Sequence, residues 1–297
     1  MCIRDSFYTR IALLLILLIV SRVALATSPL DVALSNFQNG QYDAALEDFR
    51  VLHSKSPEDP ELTFYLARSL YRKLELKTAQ TLLTKSLKAY PDHVESHYLL
   101  GSVQLSLVPE VNIFRKAGLA KKSVNSWEQA VELDPSHAEA LYGVASFYSS
   151  APAIVGGDKN LGEEKIMDLQ KLSAPWADLT RASIAAREEQ FEESEELFKK
   201  AISGIPQRAF PTLMLANLYL QQENYEAALQ TLEQYQKRDK TWNDPGEEQT
   251  ALVAGKIYRG LKRTEEAIQS FERVKRGVST RGMKTQAEEA LDALNAR

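Results

Sequence analysis

Small and bulky residues recur at a fixed spacing along most of the chain. Ala45 is followed four positions later by Phe49, and Ala79 by Leu83. The same spacing recurs in Ser123 with Trp127, Ser194 with Phe198, Ala228 with Leu232, and Ala267 with Phe271. Residues four apart share one face of an α-helix. Each pair therefore predicts a helix that approaches a neighbour closely at the small residue and fills the seam with the bulky one.

Prolines divide these helices into units of regular length. Pro57 and Pro91 lie one period of 34 residues apart, and Pro135 follows Pro91 by 44 residues. Proline cannot extend a helix, and it biases the residue before it away from helical dihedrals. A period of this length is typical of stacked helical hairpins.

The repeated stretches GQYDAALEDF, LANLYLQQENYEAALQTL and AGKIYRGLKRTEEAIQSF resemble the tetratricopeptide repeat (TPR) family. GLAKK in the third repeat and the AP-x-x-GG pattern in the fourth are similar to a secreted bacterial subfamily of unassigned role. The resemblance implies an all-α, right-handed α-solenoid of about seven hairpins. We place the solenoid at residues 27–281, with interruptions near 106–123 and 149–160 and a capping helix at 282–297.

Residues 1–26 have the features of a secretory signal peptide. Arg10 precedes an apolar stretch at residues 11–20, and Ala24-Leu25-Ala26 forms a small-x-small site, so we expect cleavage after Ala26. This predicts a periplasmic or secreted protein; Arg22 near the cleavage site keeps an inner-membrane anchor as the alternative. The first six residues, MCIRDS, resemble the translation of a sequencing adapter, and we expect them to be artefactual.

Composition and charge narrow the range of partners. The net charge is −4, and it becomes −6 without residues 1–26, which carry three arginines and one aspartate. Nucleic-acid binding requires a basic face, so we expect no nucleic-acid partner. A membrane contact is expected only through an uncleaved signal segment, and the oligomeric state is left open.

Few residues suggest chemistry. His93 and His97 lie four apart and could share a metal, but Val94 occupies the place of the glutamate in a zinc-protease motif. Gly156 and Gly157 lack the flanking pattern of a phosphate-binding loop, and they predict a turn that requires positive φ. The sequence contains no recognised catalytic set, so we expect no enzyme activity, no cofactor and no metal.

The resemblance also implies which residues contact a ligand. In TPR proteins, defined positions of the first helix of each hairpin line a concave groove. Carried over to this sequence, those positions give Phe64, Arg68, Tyr71, Arg72, Tyr98, Tyr142, Arg187, Asn217, Lys256 and Arg259. Aromatic rings supply contact area at low entropic cost, while Asn and Arg can bind a peptide backbone or a carboxylate.

Two local hypotheses concern surfaces. Arg187, Asn217, Lys256 and Arg259 are predicted to form a basic strip for an acidic peptide, against the acidic trend of the chain. The interruptions at 106–123 and 149–160 are predicted to pack together, because insertions in stacked repeats emerge on a common face. Their apolar contacts would come from Phe114, Leu119, Ile154 and Val155.

These observations favour a non-catalytic, extracytoplasmic scaffold that presents its groove to a peptide or protein partner. The alternative is a small-ligand carrier like some transporter-associated TPR proteins, and an enzyme is a remote third. A large apolar cavity between the two interruptions would favour the carrier, whereas an open aromatic groove would favour the peptide binder.

Overall fold

The computed structural model describes residues 28–296, so the predicted signal segment lies outside the described residues. Within this range the chain forms fifteen α-helices and two short 3₁₀ turns, Val108–Glu110 and Ala153–Val155. The helices are α1 Pro29–Gln38, α2 Tyr42–Lys55, α3 Pro60–Arg72, α4 Leu76–Ala89, α5 Val94–Leu107, α6 Ile113–Leu133, α7 Ala138–Ser150, α8 Lys159–Leu172, α9 Ala174–Arg187, α10 Phe191–Gly204, α11 Phe210–Gln221, α12 Tyr225–Lys237, α13 Glu247–Gly260, α14 Thr264–Arg276 and α15 Arg281–Asn295.

Consecutive helices pack in pairs, from α1 with α2 to α13 with α14, and each hairpin packs against the next. The last helix, α15, packs on α14 and closes the array. This arrangement confirms the predicted solenoid of seven hairpins and a cap. None of the helices within residues 28–296 combines the length and apolarity needed to cross a bilayer.

The small and bulky pairs form the interior, as their spacing predicts. Ala45, Phe49, Ala79 and Leu83 are each completely buried in the N-terminal core. In the last hairpin, a Cβ added at Gly255 would lie 2.6 Å from the ring of buried Phe271, so the glycine is required for close helix approach. Each fully buried large side chain stabilises the folded state by about 1.5–3 kcal/mol. Because each repeat packs mainly on its neighbours, this stabilisation is distributed along the array and not concentrated in one core.

The turn inside several hairpins uses a left-handed residue at the same place. Gly40, Leu74, Glu189, Glu223 and Lys262 have φ between 56° and 75°, each two residues after one helix ends and two before the next begins. Four of the five are not glycine, although a left-handed conformation costs a non-glycine residue about 1 kcal/mol. The packing of the two helices therefore determines this turn more than its local sequence does.

The first interruption is mostly helical. After the 3₁₀ turn Val108–Glu110, α6 runs for 21 residues, so the extra sequence lengthens the second helix of its hairpin. The second interruption is a compact turn in which Gly156 has φ of 100°, as the glycine pair predicted. A Cβ on Gly157 would collide with the carbonyl oxygen of Ala151, so this glycine is also required.

The two interruptions lie together on one side, as predicted, but two of the four apolar side chains expected to join them, Phe114 and Ile154, do not. The side chain of Lys121 passes 3.8 Å from the Cβ position of Gly156, so the segments lie on the same side of the solenoid. However, Phe114 and Ile154 are 92% and 93% exposed, and Leu119 packs on the N-terminal core instead. Because the insertion is helical, Phe114 and Leu119 lie about 140° apart around α6 and cannot face the same neighbour.

Candidate functional site

The N-terminal half of the predicted groove converges on one side chain of the chain itself. Arg68, Tyr71 and Tyr98, from α3 and α5, surround the indole of Trp242, which lies between α12 and α13. The Trp242 ring centre is 5.9 Å from that of Tyr71 and 6.2 Å from that of Tyr98, both edge-on. The guanidinium of Arg68 lies 5.3 Å from the indole, within cation–π range.

The backbone around Trp242 is bound in the same way that a peptide would be. We call Thr241–Pro245 the crossing segment. Arg72 Nη1 donates to the carbonyl of Trp242 at 3.0 Å and to that of Asp244 at 2.8 Å. Tyr235 donates its hydroxyl to the Pro245 carbonyl at 2.7 Å. Four of the predicted groove residues, Arg68, Tyr71, Arg72 and Tyr98, therefore contact a peptide that belongs to this chain.

Asp244 anchors the crossing segment. Its side chain is completely buried, and one carboxylate oxygen accepts the amides of Ala209 and Phe210 at 3.1 and 2.8 Å. The other oxygen accepts the amide and the hydroxyl of Thr241 at 2.7 and 2.9 Å. The Arg208 guanidinium lies 3.9 Å away. A buried carboxylate requires such partners, and Asp244 has four hydrogen bonds and a cation.

Glu139 links the crossing segment to the middle of the solenoid. It accepts hydrogen bonds from Tyr98 Oη at 2.7 Å, from Asn243 Nδ2 at 2.9 Å and from Arg208. Burial, followed by the nearby Glu139 carboxylate, raises the pKa of Tyr98, so its hydroxyl stays protonated and donates.

Glu139 is also the third of three equivalent glutamates. Glu61 and Glu95 are likewise the second residues of their helices, and they contact His93 at 3.2 Å and His137 at 3.5 Å in the following repeat. At Glu139, in the fourth repeat, Tyr98, Asn243 and Arg208 take the place of the histidine. The series of three glutamates therefore ends at Glu139, where the crossing segment packs.

An apolar chamber of about 590 Å³ lies beside the crossing segment. Asn243 and Pro245 form one side of it, and Ala120, Ala151, Pro152 and Val155, from the two interruptions, form another. Its aromatic wall consists of Tyr71, Tyr98, Trp127, Tyr142, Phe147, Trp176 and Phe210. Cavities of this size and lining bury most of the surface of a small ligand or of an inserted side chain.

The charged groups at the chamber are already paired within the protein. Arg208 lies 5.3 Å from the ring centre of Phe210 and 5.9 Å from that of Trp176, while it is bonded to Glu139. Burial raises the pKa of Tyr142, which keeps that hydroxyl neutral. What remains for a ligand is mainly apolar surface, so burial of apolar groups would be the main source of affinity.

The C-terminal residues predicted as a basic strip do not form one cluster. Arg187 lines a cavity with Ser149 and donates to its carbonyl at 3.4 Å. Lys256 and Arg259 line a different, smaller cavity beside Tyr225. Asn217 is bonded to the Leu213 carbonyl of its own helix. The strip, and ligand contact by these residues, therefore stay predictions.

Phe64 and the histidines have local roles. Phe64 is buried and packs against Arg68 and the His93 ring. His93 caps α5 by accepting the amide of Ser96, whereas His97 contacts the Pro91 carbonyl at 2.7 Å. The two rings thus have separate partners. Among residues 28–296, no three His, Cys, Asp or Glu side chains are grouped to hold a metal ion.

The Glu95–His137 pair predicts a pH dependence. Although burial opposes charge on His137, its hydrogen bond to Glu95 raises its pKa above 6.5, and the same bond lowers the pKa of Glu95 below 4.5. The contribution of His137 to folding stability is complete below pH 6.5 and is lost as the pH rises through its raised pKa. The contribution of Glu95 to folding stability is present above pH 4.5 and is lost as the pH falls through its lowered pKa.

We therefore expect Glu95→Gln to lower the melting temperature more at pH 5.5 than at pH 8.5. Because Glu95 is half-exposed, the loss at pH 5.5 should be about 0.5–1 kcal/mol. Exposed Glu47, changed to Gln, is the control and should show no such difference. An equal effect of Glu95→Gln at both pH values would contradict the assigned pair.

The residues that sequence reasoning missed are Trp242, Asn243, Asp244, Glu139 and Arg208. The stretch TWNDPG was a readable turn signal, since Asn, Asp, Pro and Gly cluster there. Nothing in this stretch indicates that its partners lie more than 100 residues away in the chain. For the three equivalent glutamates, the sequence offered one sign: His137 and Glu139 follow His93 and Glu95 by 44 residues each.

Comparisons with known proteins agree with the repeat architecture. Residues 38–108 match the family model described as anaphase-promoting complex, cyclosome, subunit 3. Residues 185–245 and 249–276 match tetratricopeptide repeat models. No curated protein has a sequence that matches this one.

Solved structures share the fold at low sequence identity. A thermophilic TPR protein of Thermus thermophilus is 20% identical, with a TM-score of 0.55 over 65% of this chain and 97% of its own. A TPR protein of Parabacteroides merdae is 18% identical, with a TM-score of 0.55 over 89% of this chain and 97% of its own. Yeast Tom70 is 19% identical, with a TM-score of 0.55 over 93% and 65%. Together with the helical hairpins along residues 29–295, these matches show that the chain is a tetratricopeptide repeat protein.

Proposed function

We propose that this protein is a non-catalytic scaffold whose protein partner inserts a bulky apolar side chain into the central chamber. TPR repeats imply a protein-interaction scaffold, and the fold generally serves binding rather than catalysis. The observation that supports the site is the chamber itself, with about 590 Å³ of space and seven aromatic side chains in its wall. An extracytoplasmic location, based on the apolar segment before Ala26, remains part of the proposal.

The chamber is the part of the concave face best suited to an external ligand. The neighbouring surface around Arg68 and Arg72 is covered by the crossing segment, which packs its indole against Arg68 and accepts two hydrogen bonds from Arg72. The chamber wall instead offers apolar area whose burial yields about 25 cal/mol per Å². A single aromatic or branched side chain, well packed, would act as the anchor residue of such an interface.

Filling the chamber tests this proposal. Ser146 lies in the chamber wall and is half-buried, so Ser146→Phe should occupy the space. Random peptides displayed on phage would be selected on the wild-type protein and then measured on both proteins. We expect the selected peptides to share one bulky apolar residue and to bind Ser146→Phe at least tenfold more weakly.

The matched control is Ser203→Phe, which adds the same ring at an exposed position of α10. It should bind the selected peptides as the wild type does. Selected peptides that bind Ser146→Phe and the wild type equally would show that the chamber is not the site.

A small apolar molecule is the second candidate ligand. A large apolar cavity between the two interruptions is the feature expected of a carrier, and both interruptions line the chamber, through Ala120 on one side and Ala151, Pro152 and Val155 on the other. The neutral dye N-phenyl-1-naphthylamine is a suitable probe, because its fluorescence rises in apolar surroundings. Saturable micromolar binding that Ser146→Phe abolishes, with no selectable peptide, would favour the carrier over the scaffold.

A further inference from the structure

Two large apolar side chains protrude from the two interruptions. Phe114, at the start of α6, is 92% exposed, and Ile154, in the second interruption, is 93% exposed. Among the other described side chains, the most exposed large apolar one is Met167, at 49%. We call Phe114 and Ile154 the apolar tip. Because these two side chains touch almost nothing of their own protein, burying them elsewhere would break no existing packing.

The two side chains of the apolar tip project on the same side of the array. Phe114 and Lys121 lie seven residues apart in α6, so they share one helix face and are about 10 Å apart along the axis. The Lys121 side chain passes 3.8 Å from the Cβ position of Gly156, and the turn Ala153–Val155 packs against α6. Phe114 therefore stands on the face of α6 beside which the turn with Ile154 lies.

The turn that carries Ile154 holds it in solvent by its own hydrogen bonds. The amides of Val155 and Gly157 both donate to the Pro152 carbonyl, at 2.9 and 3.2 Å. Val155 lines the chamber, whereas Ile154 does not. These two amides need no water as a partner, so the turn can enter surroundings poorer in water without losing their hydrogen bonds.

Basic side chains flank the apolar tip in a protein that is otherwise acidic. The two interruptions, residues 106–123 and 149–160, have a net charge of +3, whereas the chain without residues 1–26 carries −6. Elsewhere lysines such as Lys73 and Lys199 pair with acidic neighbours. Within residues 28–296, no ion pair or side-chain hydrogen bond involves the basic residues of the interruptions, which are Arg115, Lys116, Lys121, Lys122 and Lys159.

We propose that the apolar tip and its basic flanks bind the protein to an anionic phospholipid surface. A bilayer interface accepts protruding apolar side chains without a complementary pocket, and anionic headgroups attract the cations around them. A stable protein interface would bury about 800 Å² on each partner, much more than two protruding side chains offer. This inference goes beyond the proposed function, because it adds a membrane surface to the partner of the chamber.

The experiment places a fluorophore beside the apolar tip of the full chain. Cys2→Ser removes the single cysteine, and Ala153→Cys adds one at an exposed position for labelling with nitrobenzoxadiazole. Ser203→Cys, at an exposed position of α10, gives the control label. Vesicles of phosphatidylglycerol and phosphatidylcholine in equal parts contain a doxyl-labelled lipid that quenches a dye in the bilayer. We expect quenching of the label at position 153 and none at position 203. Equal quenching at both positions, or none at either, would overturn the proposal.

The same readout tests the apolar side chains themselves. With the label at position 153, Phe114→Ser combined with Ile154→Ser should reduce the quenching about fivefold or more, because the apolar area that enters the bilayer is lost. Both side chains are exposed, so the helical circular dichroism should not change. The predicted signal segment is present in every variant, so a difference between variants comes from the tip. Unchanged quenching in this double variant would overturn the proposal.

The ionic contribution has its own control. Lys121→Gln combined with Lys122→Gln should raise the lipid concentration needed for half-maximal quenching about threefold or more. Lys200→Gln combined with Lys237→Gln removes the same charge at exposed positions elsewhere and should leave that concentration unchanged. Equal quenching in vesicles of phosphatidylcholine alone would overturn the assignment to an anionic surface.

Two further results separate this inference from its alternatives. A label at position 153 that ignores vesicles but brightens as the protein concentration rises would mean that a second copy of the chain covers the tip, which overturns the proposal. Ser146→Phe, which fills the chamber, should leave the vesicle response intact. The variant without the apolar tip should still bind the phage-selected peptides, so the chamber and the membrane surface can fail independently.

Discussion

Replacing Asp244 with alanine is expected to destabilise the protein by about 3–5 kcal/mol. The change leaves the amides of Ala209, Phe210 and Thr241 without their side-chain acceptor, around a carboxylate position that is completely buried. It also removes a carboxylate from buried Arg208. At about 2–4 °C per kcal/mol, the melting temperature followed by circular dichroism should fall by about 10 °C.

Asp239 provides a matched control for this prediction. It lies five residues earlier in the same connection and is exposed, so Asp239→Ala should change the melting temperature by less than about 2 °C. If Asp244→Ala were as mild as Asp239→Ala, the crossing segment would not be anchored as the structure has it.

Changing Gly143 to alanine should destabilise the protein by about 1–3 kcal/mol, whereas the same change at Gly118 should stabilise it. A Cβ at Gly143 would lie 2.7 Å from the Trp127 ring, and a Cβ at Gly101 on the other side would lie 2.5 Å from it. The indole is held between two helix backbones and donates to the Tyr98 carbonyl at 3.2 Å, so it cannot move away from the new methyl group.

Gly118 has the opposite surroundings. It lies inside α6, is exposed, and has no atom within 4 Å of an added Cβ. Alanine there reduces the conformational freedom of the unfolded chain and should add about 0.5–1 kcal/mol of stability. Chemical denaturation of the two variants should shift the midpoint in opposite directions. A shift in the same direction for both would contradict the assigned packing around Trp127.

The repeat architecture could be predicted from the sequence because its causes are local. The distance between Ala45 and Phe49, or between Ala267 and Phe271, is one helical turn, and the same seam recurs in each hairpin. The resemblance to the repeat family also singled out Arg68, Tyr71, Arg72 and Tyr98, which the structure brings together around Trp242 and its carbonyl. Their contact with an external ligand stays a prediction.

The crossing segment could not be predicted, because its partners are distant in the chain. Arg72 and the Trp242 carbonyl are 170 residues apart, and Asn243 and Tyr98 are 145 apart. These residues meet because the array of hairpins curves. The curvature is the sum of small rotations between successive repeats, and no single motif encodes it.

The first interruption shows a different limit. The extra residues interrupt the period, yet they continue as a regular helix of 21 residues that includes Gly118. Glycine lowers helix stability by about 1 kcal/mol, which the packing of a long helix readily offsets. The period does not give the rotation of this helix, which places Phe114 in solvent.

The most direct test of the central claim, that the crossing segment packs against α3 and α5, is a double-mutant cycle between Tyr98 and Asn243. Tyr98→Phe, Asn243→Ala and the double variant would be unfolded by denaturant, and their free energies of unfolding compared with that of the wild type. Because Asn243 Nδ2 donates to Tyr98 Oη at 2.9 Å, we expect a coupling energy of about 1 kcal/mol. Effects that add to within about 0.3 kcal/mol would mean that the two side chains do not meet, and that the segment does not lie across the groove.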